Sequence, residues 1–281
     1  MALRAKGFAP HQLVMTATPI PRTLTMALYA DMAVSVIDEL PRGRQPIETR
    51  LVSAERRDAV VASVGQVLDG GGQAYWVCPL IEAQDQLELA AAEQTAADLA
   101  AALPAHNVGL LHGRLSGAEK ARVMQEFAAG RIGALVATTV IEVGVNVPNA
   151  TLMVIENPER MGLAQLHQLR GRVGRGSAAS HCILLYRGPL GAVARARLKA
   201  VRESQDGFHL AEQDLALRGA GELLGTRQTG DQSFRIADLS RHAHLLPAVM
   251  ARGDRLLAEA PEEARALLRA WAPADTGHIS V

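Results

Sequence analysis

Ile47-Glu-Thr-Arg-Leu-Val-Ser-Ala-Glu-Arg-Arg-Asp-Ala-Val-Val-Ala-Ser-Val-Gly-Gln-Val-Leu-Asp-Gly-Gly-Gly-Gln-Ala-Tyr-Trp-Val-Cys-Pro-Leu80 decides the fold. Ile47 to Val52 reads as a strand and Ala54 to Leu68 as a helix. Gly70 to Gly72 form a turn, and Gln73 to Leu80 read as a second, apolar strand. The same alternation continues downstream. Ala90 to Leu103 is an alanine-rich helix pattern and Val108 to Leu111 a short strand. Ser116 to Ala129 is a helix with Ser116 as N-cap and Glu119 completing a capping box. Ala134 to Ala137, Thr151 to Ile155 and Cys182 to Tyr186 are short apolar runs of the kind that fill buried parallel strands. Strands alternating with helices predict an α/β fold, a doubly wound parallel sheet.

After Pro189 the strand signal stops. Ala192 to Glu203 and Gly207 to Leu217 read as helices, glycines crowd residues 218–230 into a loop, and Ala243 to Glu259 and Glu262 to Ala270 read as terminal helices. Before Ile47, the clusters Pro19-Ile-Pro21 and Pro41 through Pro46 bracket a mixed apolar segment, which marks a linker.

With 281 residues and 48% hydrophobic content, the chain can bury a sizeable core and hold more than one folding unit. No run of 18 or more apolar residues occurs and the first residues lack the apolar core of a secretory signal, so no membrane span or export is expected, and the expected location is cytoplasmic. Cys78 and Cys182 sit in strand-like apolar runs, where buried reduced thiols are expected, and two cysteines make no metal framework.

Charge is balanced overall, 29 basic against 29 acidic residues, but segregated along the chain: Arg160 through Arg202 holds nine basic residues and no Asp or Glu. Inside that run, Gln165-Leu-His-Gln-Leu-Arg-Gly-Arg-Val-Gly-Arg-Gly176 sets Arg170, Arg172 and Arg175 among glycines. Guanidinium stays charged and forks onto phosphate oxygens, so the cluster is expected to meet phosphate.

Gln168-x-x-Gly171-Arg172-x-x-Arg175 resembles the last helicase motif of superfamily 2 nucleic-acid translocases. Leu135-Val-Ala-Thr-Thr-Val-Ile-Glu-Val-Gly-Val-Asn-Val-Pro148 resembles the motif before it, and Met15-Thr-Ala-Thr-Pro-Ile-Pro-Arg22 the Thr-Ala-Thr motif of the first motor domain. The resemblance implies a RecA-like second motor domain over 45–189. It implies that residues 1–44 are the end of a first motor domain plus a linker, and that 190–281 is a mainly helical C-terminal region. Arg172 and Arg175 would be arginine fingers on ATP, with Gln168 setting their geometry. Gly144 and Asn146 would approach the nucleotide sugar. Asn146 stands where the family usually carries aspartate, so it can accept a hydrogen bond but brings no charge. Thr16, Thr18, His112, Gly113, Thr138 and Thr139 match positions that couple to DNA or hold its backbone.

The segment from Phe208 to Gly230 resembles the translocation motif shared by the RecG helicases and the transcription-repair coupling factors, both double-stranded DNA translocases. Arg218, Arg227 and Gln228 would contact or support the duplex backbone there, with Gly221 allowing the tight course. Residues 15–46 follow the RecG pattern more closely than the coupling-factor pattern. That resemblance implies branch migration of Holliday junctions and reversal of stalled forks, driven by ATP and Mg2+. The partners it implies are branched double-stranded DNA, an N-terminal wedge and a first motor domain.

A complete ATPase of this kind needs a phosphate loop ending in Gly-Lys-Ser or Gly-Lys-Thr. The chain has no Gly-Lys dipeptide, and its lysines are Lys6, Lys120 and Lys199. Asp38 and Glu39 mimic a magnesium-holding strand but follow the Thr-Ala-Thr motif instead of preceding it, so an exposed pair at a hinge is expected. The chain is accordingly expected to be a C-terminal piece of a motor, inactive alone. Two other readings remain: a DNA-binding or docking module without turnover, and a small-molecule α/β enzyme whose arginines bind a phosphorylated metabolite. Tyr75 and Trp76 begin an apolar strand and are read as core, not as a base-stacking platform.

Overall fold

The computed structural model describes residues 45–79, 85–138, 147–218 and 242–271, with the isolated positions Leu13, Met15, Ser35 and Ile37. The described residues 45–217 belong to one compact unit and 242–271 to a second.

In the first unit the strands are β1 (Ile47–Ser53), β2 (Gln73–Val77), β3 (Val108–Leu111), β4 (Ala134–Ala137), β5 (Ala150–Glu156) and β6 (Ser180–Tyr186). The helices are α1 (Arg57–Asp69), α2 (Asp85–Ala102), α3 (Gly117–Ala128), α4 (Leu163–Arg170), α5 (Ala192–Glu203) and α6 (Gly207–Arg218). The six strands form one sheet in the order β1-β6-β5-β2-β4-β3, with every pairing parallel. All carboxyl ends therefore lie along one edge and all amino ends along the other.

Both faces are covered, which is why the central strands read as unbroken apolar runs. Successive strand residues point to opposite faces. Tyr75, Val77, Met153 and Ile155 pack with α3, α4 and α5 through Phe127, Leu166 and Leu198. Ala74, Trp76, Leu152 and Val154 pack with α1 and α2 through Val64 and Leu99. Tyr75 and Trp76 are 2% and 1% exposed, so neither is a stacking platform. Tyr75 meets Phe127 with ring centroids 4.8 Å apart. Each such side chain contributes roughly 1.5–3 kcal/mol by leaving water.

Several expected elements appear at their expected bounds, including β3, β4 and α5. The capping box is present: the Glu119 amide donates to Ser116 Oγ and the Ser116 amide to Glu119 Oε2. Three features differ. Helix α2 starts at Asp85, earlier than Ala90, and β2 ends at Val77. Helix α4 was not anticipated at all. Helices α5 and α6 send Leu198, Val201 and Leu210 into the same core as the sheet, so the compact unit that holds the sheet runs to Leu217.

The second unit contains a single 3-10 turn (Ala243–Leu245) followed by α7 (Leu246–Glu259) and α8 (Pro261–Trp271) among the described residues. Prolines open both helices, where a missing amide costs least.

Candidate functional site

Leu163, Leu166 and Leu169 recur on one side of α4 and are buried, which docks this eight-residue helix on the sheet. Gln165 steadies its start by accepting the Gly162 amide through Oε1 at 3.2 Å. The helix stops at Gly171, and the chain turns through Arg172, Val173 and Gly174. The Arg172 amide donates to Leu169 O at 3.0 Å, and Val173 is fully buried.

Two glycines then fix the loop against the amino edge of the sheet. Gly174 has φ +71° and a Cβ there would lie 2.9 Å from the Ile47 side chain, at the start of β1. A Cβ on Gly176 would lie 2.7 Å from the Pro148 carbonyl oxygen, just before β5. These glycines are needed for close approach of chain to chain. Arg172 emerges half-buried and Arg175 exposed, with Arg175 Nε donating to Gly171 O at 3.3 Å. Burial pushes the Tyr75 phenol up to about 12, while the positive charges of Arg172 and Arg175 pull the other way, so both arginines lie within electrostatic reach of β2. Gln168 is half-buried on the last turn of α4.

Arg170 departs from expectation. It is 2% exposed, not presented to phosphate. Its Nη1 donates to Val201 O at 2.6 Å and Ser204 O at 2.8 Å, and its Nη2 to His167 Nδ1 at 3.0 Å. Burial lowers its pKa from the ordinary arginine value. Of the three clustered arginines, Arg170 is buried, Arg172 half-buried and Arg175 exposed.

The second group of expected site residues lies at the carboxyl edge. His112 and Gly113 directly follow β3, and Thr138 follows β4, its amide donating to Leu111 O at 3.1 Å. Gly113 is exposed and its carbonyl accepts Lys120 Nζ at 2.7 Å. His112 is half-buried, and its Nδ1 has no hydrogen-bond partner among the described residues. Thr138 is 0% exposed and its Oγ1 also has no partner among the described residues, so as it stands the hydroxyl is closed to a phosphate. Thr16, Thr18, Thr139, Gly144, Asn146, Gly221, Arg227 and Gln228 lie outside the described residues, as do Asp38 and Glu39. Arg218 closes α6, its side chain outside the description.

Gln73, Glu156 and Arg57, which the sequence does not single out, carry polar contacts. Gln73, 3% exposed at the amino end of β2, donates through Nε2 to Phe127 O at 2.6 Å and Ile132 O at 2.7 Å. Trp76 Nε1 donates to Glu156 Oε1 at 3.0 Å, and Arg57 Nε reaches the same oxygen at 3.3 Å. A polar residue interrupting an apolar run, as Gln73 does, was the available signal. Among the described residues no three His, Cys, Asp or Glu side chains gather to hold a metal, and no helix is long and apolar enough to cross a membrane. Cys78 and Cys182 are free and buried.

Residues 59–177 match the family described as "Helicase conserved C-terminal domain", and residues 204–268 match "ATP-dependent DNA helicase RecG, domain 3, C-terminal". The chain is 56% identical over 269 residues to the ATP-dependent DNA helicase RecG of Escherichia coli (strain K12), covering 95% of this chain and 39% of that protein. Identity to RecG of Thermotoga maritima is 51% over 246 residues, covering 87% of this chain and 31% of that one. A solved structure, "Structure of RecG bound to three-way DNA junction", is 49% identical with a TM-score of 0.65, covering 82% of this chain and 30% of that chain. The chain thus spans well under half the length of these relatives. With a parallel helicase-type sheet, a glycine-clamped arginine loop and this identity along nearly all its residues, the chain belongs to the RecG family of helicases.

Proposed function

We propose that this chain supplies one half of an ATP-dependent DNA motor, with Arg172 and Arg175 as arginine fingers reaching nucleotide held by another domain. The observation that carries it is the position of Arg172, half-buried, and Arg175, exposed, at the amino edge of the sheet, on a loop fixed by Gly174 and Gly176. Open α/β enzymes take small ligands at the carboxyl edge, so a metabolite site is disfavoured. A guanidinium that cannot lose its proton can still offset charge that develops on a transferring phosphoryl group. Gln168, on the preceding turn, would help orient that pair. ATP and Mg2+ would be held mainly by the phosphate loop that this sequence lacks, with Gly144 and Asn146 approaching the sugar.

The carboxyl edge is proposed to face DNA. Gly113 is open for close approach of a phosphate, whereas the neighbouring His112 Nδ1, buried as it stands, would join it only after local rearrangement. Thr139, Thr16 and Thr18 are proposed to join this backbone contact, while Thr138 would reach it only after local rearrangement. Arg218, Gly221, Arg227 and Gln228 would form the duplex-translocating segment. By kinship with the RecG helicases, the substrates are branched duplexes such as forks and Holliday junctions, gripped by a wedge outside this chain, in the cytoplasm. Such binding should be nearly independent of sequence and weaken steeply with salt.

DNA-stimulated ATP turnover tests the proposal, measured with the chain alone and after mixing with a separately produced first motor domain and wedge. No turnover alone and recovery on mixing is expected. Turnover by the chain alone would contradict it.

A further inference from the structure

The finger loop is short, and two of its residues are glycines, so its position must come from what holds its ends. Arg170 holds the front end. Its guanidinium, buried without a carboxylate among the described residues, donates to Val201 O and Ser204 O at the carboxyl end of α5. Those carbonyls belong to the last turn, where helical partners run out and the helix dipole is negative, which suits a cation. Arginine only donates, so His167 Nδ1 must accept, and α4 is thereby braced within its own last turn.

Gln205, two residues past α5, holds the back end indirectly. Its Oε1 accepts the Ile47 amide at 3.1 Å and its Nε2 donates to Ile47 O at 3.3 Å. Ile47 is the residue whose side chain leaves no room for a Cβ on Gly174. The loop is therefore closed into a ring: Arg170 to Val201 and Ser204, Gln205 to Ile47, Ile47 to Gly174.

We propose that Arg170 is a positioning residue, setting the reach of Arg172 and Arg175 by tying their helix to the junction between α5 and α6. The proposal rests on the finger assignment above. A displacement of about 1 Å at a catalytic group costs on the order of 10²-fold in rate. Loosening this tie should therefore slow chemistry and spare binding.

The test uses a protein carrying this chain together with its first motor domain, compared as wild type, Arg170→Gln, Arg170→Lys, Gln205→Ala and Arg172→Ala. Arg170→Gln is expected to lower DNA-stimulated kcat by roughly 10–100-fold, with KM for ATP and Kd for duplex DNA within about threefold of wild type. Arg170→Lys, which keeps a donating cation, should recover part of the loss. Gln205→Ala should lower kcat in the same direction by less, and the double variant should lose less than the product of the two, as members of one ring do. If Arg172→Ala slows hydrolysis while Arg170→Gln does not, the positioning role is overturned and the finger assignment stands. If Arg172→Ala leaves kcat unchanged, the finger assignment fails and this inference falls with it. Loss of kcat, ATP affinity, DNA affinity and melting temperature together in Arg170→Gln, without rescue in Arg170→Lys, would mark a merely structural residue and overturn the proposal.

Discussion

The two edges of the sheet are built differently. At the amino edge, the arginine loop is clamped by packing: Gly174 and Gly176 leave no room for a Cβ, and Gln73 Nε2 holds two carbonyls, although Gln73 Oε1 has no partner among the described residues. At the carboxyl edge, His112 Nδ1 and Thr138 Oγ1 have no partner among the described residues. A buried unpaired polar atom costs about 1–3 kcal/mol. On the proposed assignment, the difference lies in the backbone: the loop proposed to reach ATP is pinned by close glycine packing, whereas the edge proposed to meet DNA presents the exposed Gly113.

The largest expected effect concerns the rigid edge. Arg172→Ala, in a protein with both motor domains, should slow ATP hydrolysis by ~10³-fold or more while leaving duplex affinity nearly unchanged, as steady-state kinetics and anisotropy titration would show. Comparable losses in both would erase the division between the edges. Next in size is Gly174→Ala. A left-handed φ and a 2.9 Å approach to Ile47 should together cost about 2–4 kcal/mol in chemical denaturation of this chain. A loss below ~1 kcal/mol would mean that the loop can move aside and is not clamped.

Thr138→Val probes the other edge with a smaller effect. Replacing an unpartnered hydroxyl by a methyl should leave stability unchanged or raise it by up to ~1 kcal/mol. A clear destabilisation would reveal a partner for Oγ1. Smallest at neutral pH is the thiol effect. Burial pushes Cys78 and Cys182 up to about 12 from 9.0, so a thiol reagent should leave the native chain unmodified near pH 7. Above pH 9 the unfolded thiols ionise while the folded ones do not. The unfolded state then binds fewer protons, so their contribution to stability should fall as pH rises from about 9 to about 12.

The fold was largely legible because its signals are local. Val108–Leu111 and Ala134–Ala137 are apolar runs bounded by turns, and Ser116 with Glu119 marks a helix start wherever it occurs. Helix α4 escaped because Gly162 and Gly171 bound only eight residues, though Leu163, Leu166 and Leu169 already carried helical spacing. The burial of Arg170 was not legible from the cluster of arginines around it. Its acceptors, Val201 O and Ser204 O, lie 31 and 34 residues away and exist only once α5 is packed beside α4. Charge density alone cannot separate an arginine that caps a helix from one that awaits phosphate. Arg170 and Arg175 stand five positions apart, yet one is buried and the other exposed. Strand order was equally hidden, since β1 pairs with β6 through contacts 133 residues apart.

Hydrogen exchange over residues 171–176 and 112–115, in a protein that contains both motor domains, tests the separation of the two edges most directly. A non-hydrolysable ATP analogue should slow exchange at 171–176 and leave 112–115 unchanged, and duplex DNA should do the reverse. Slowing of 112–115 by nucleotide with no change at 171–176 would contradict the assignment of the arginine loop to ATP.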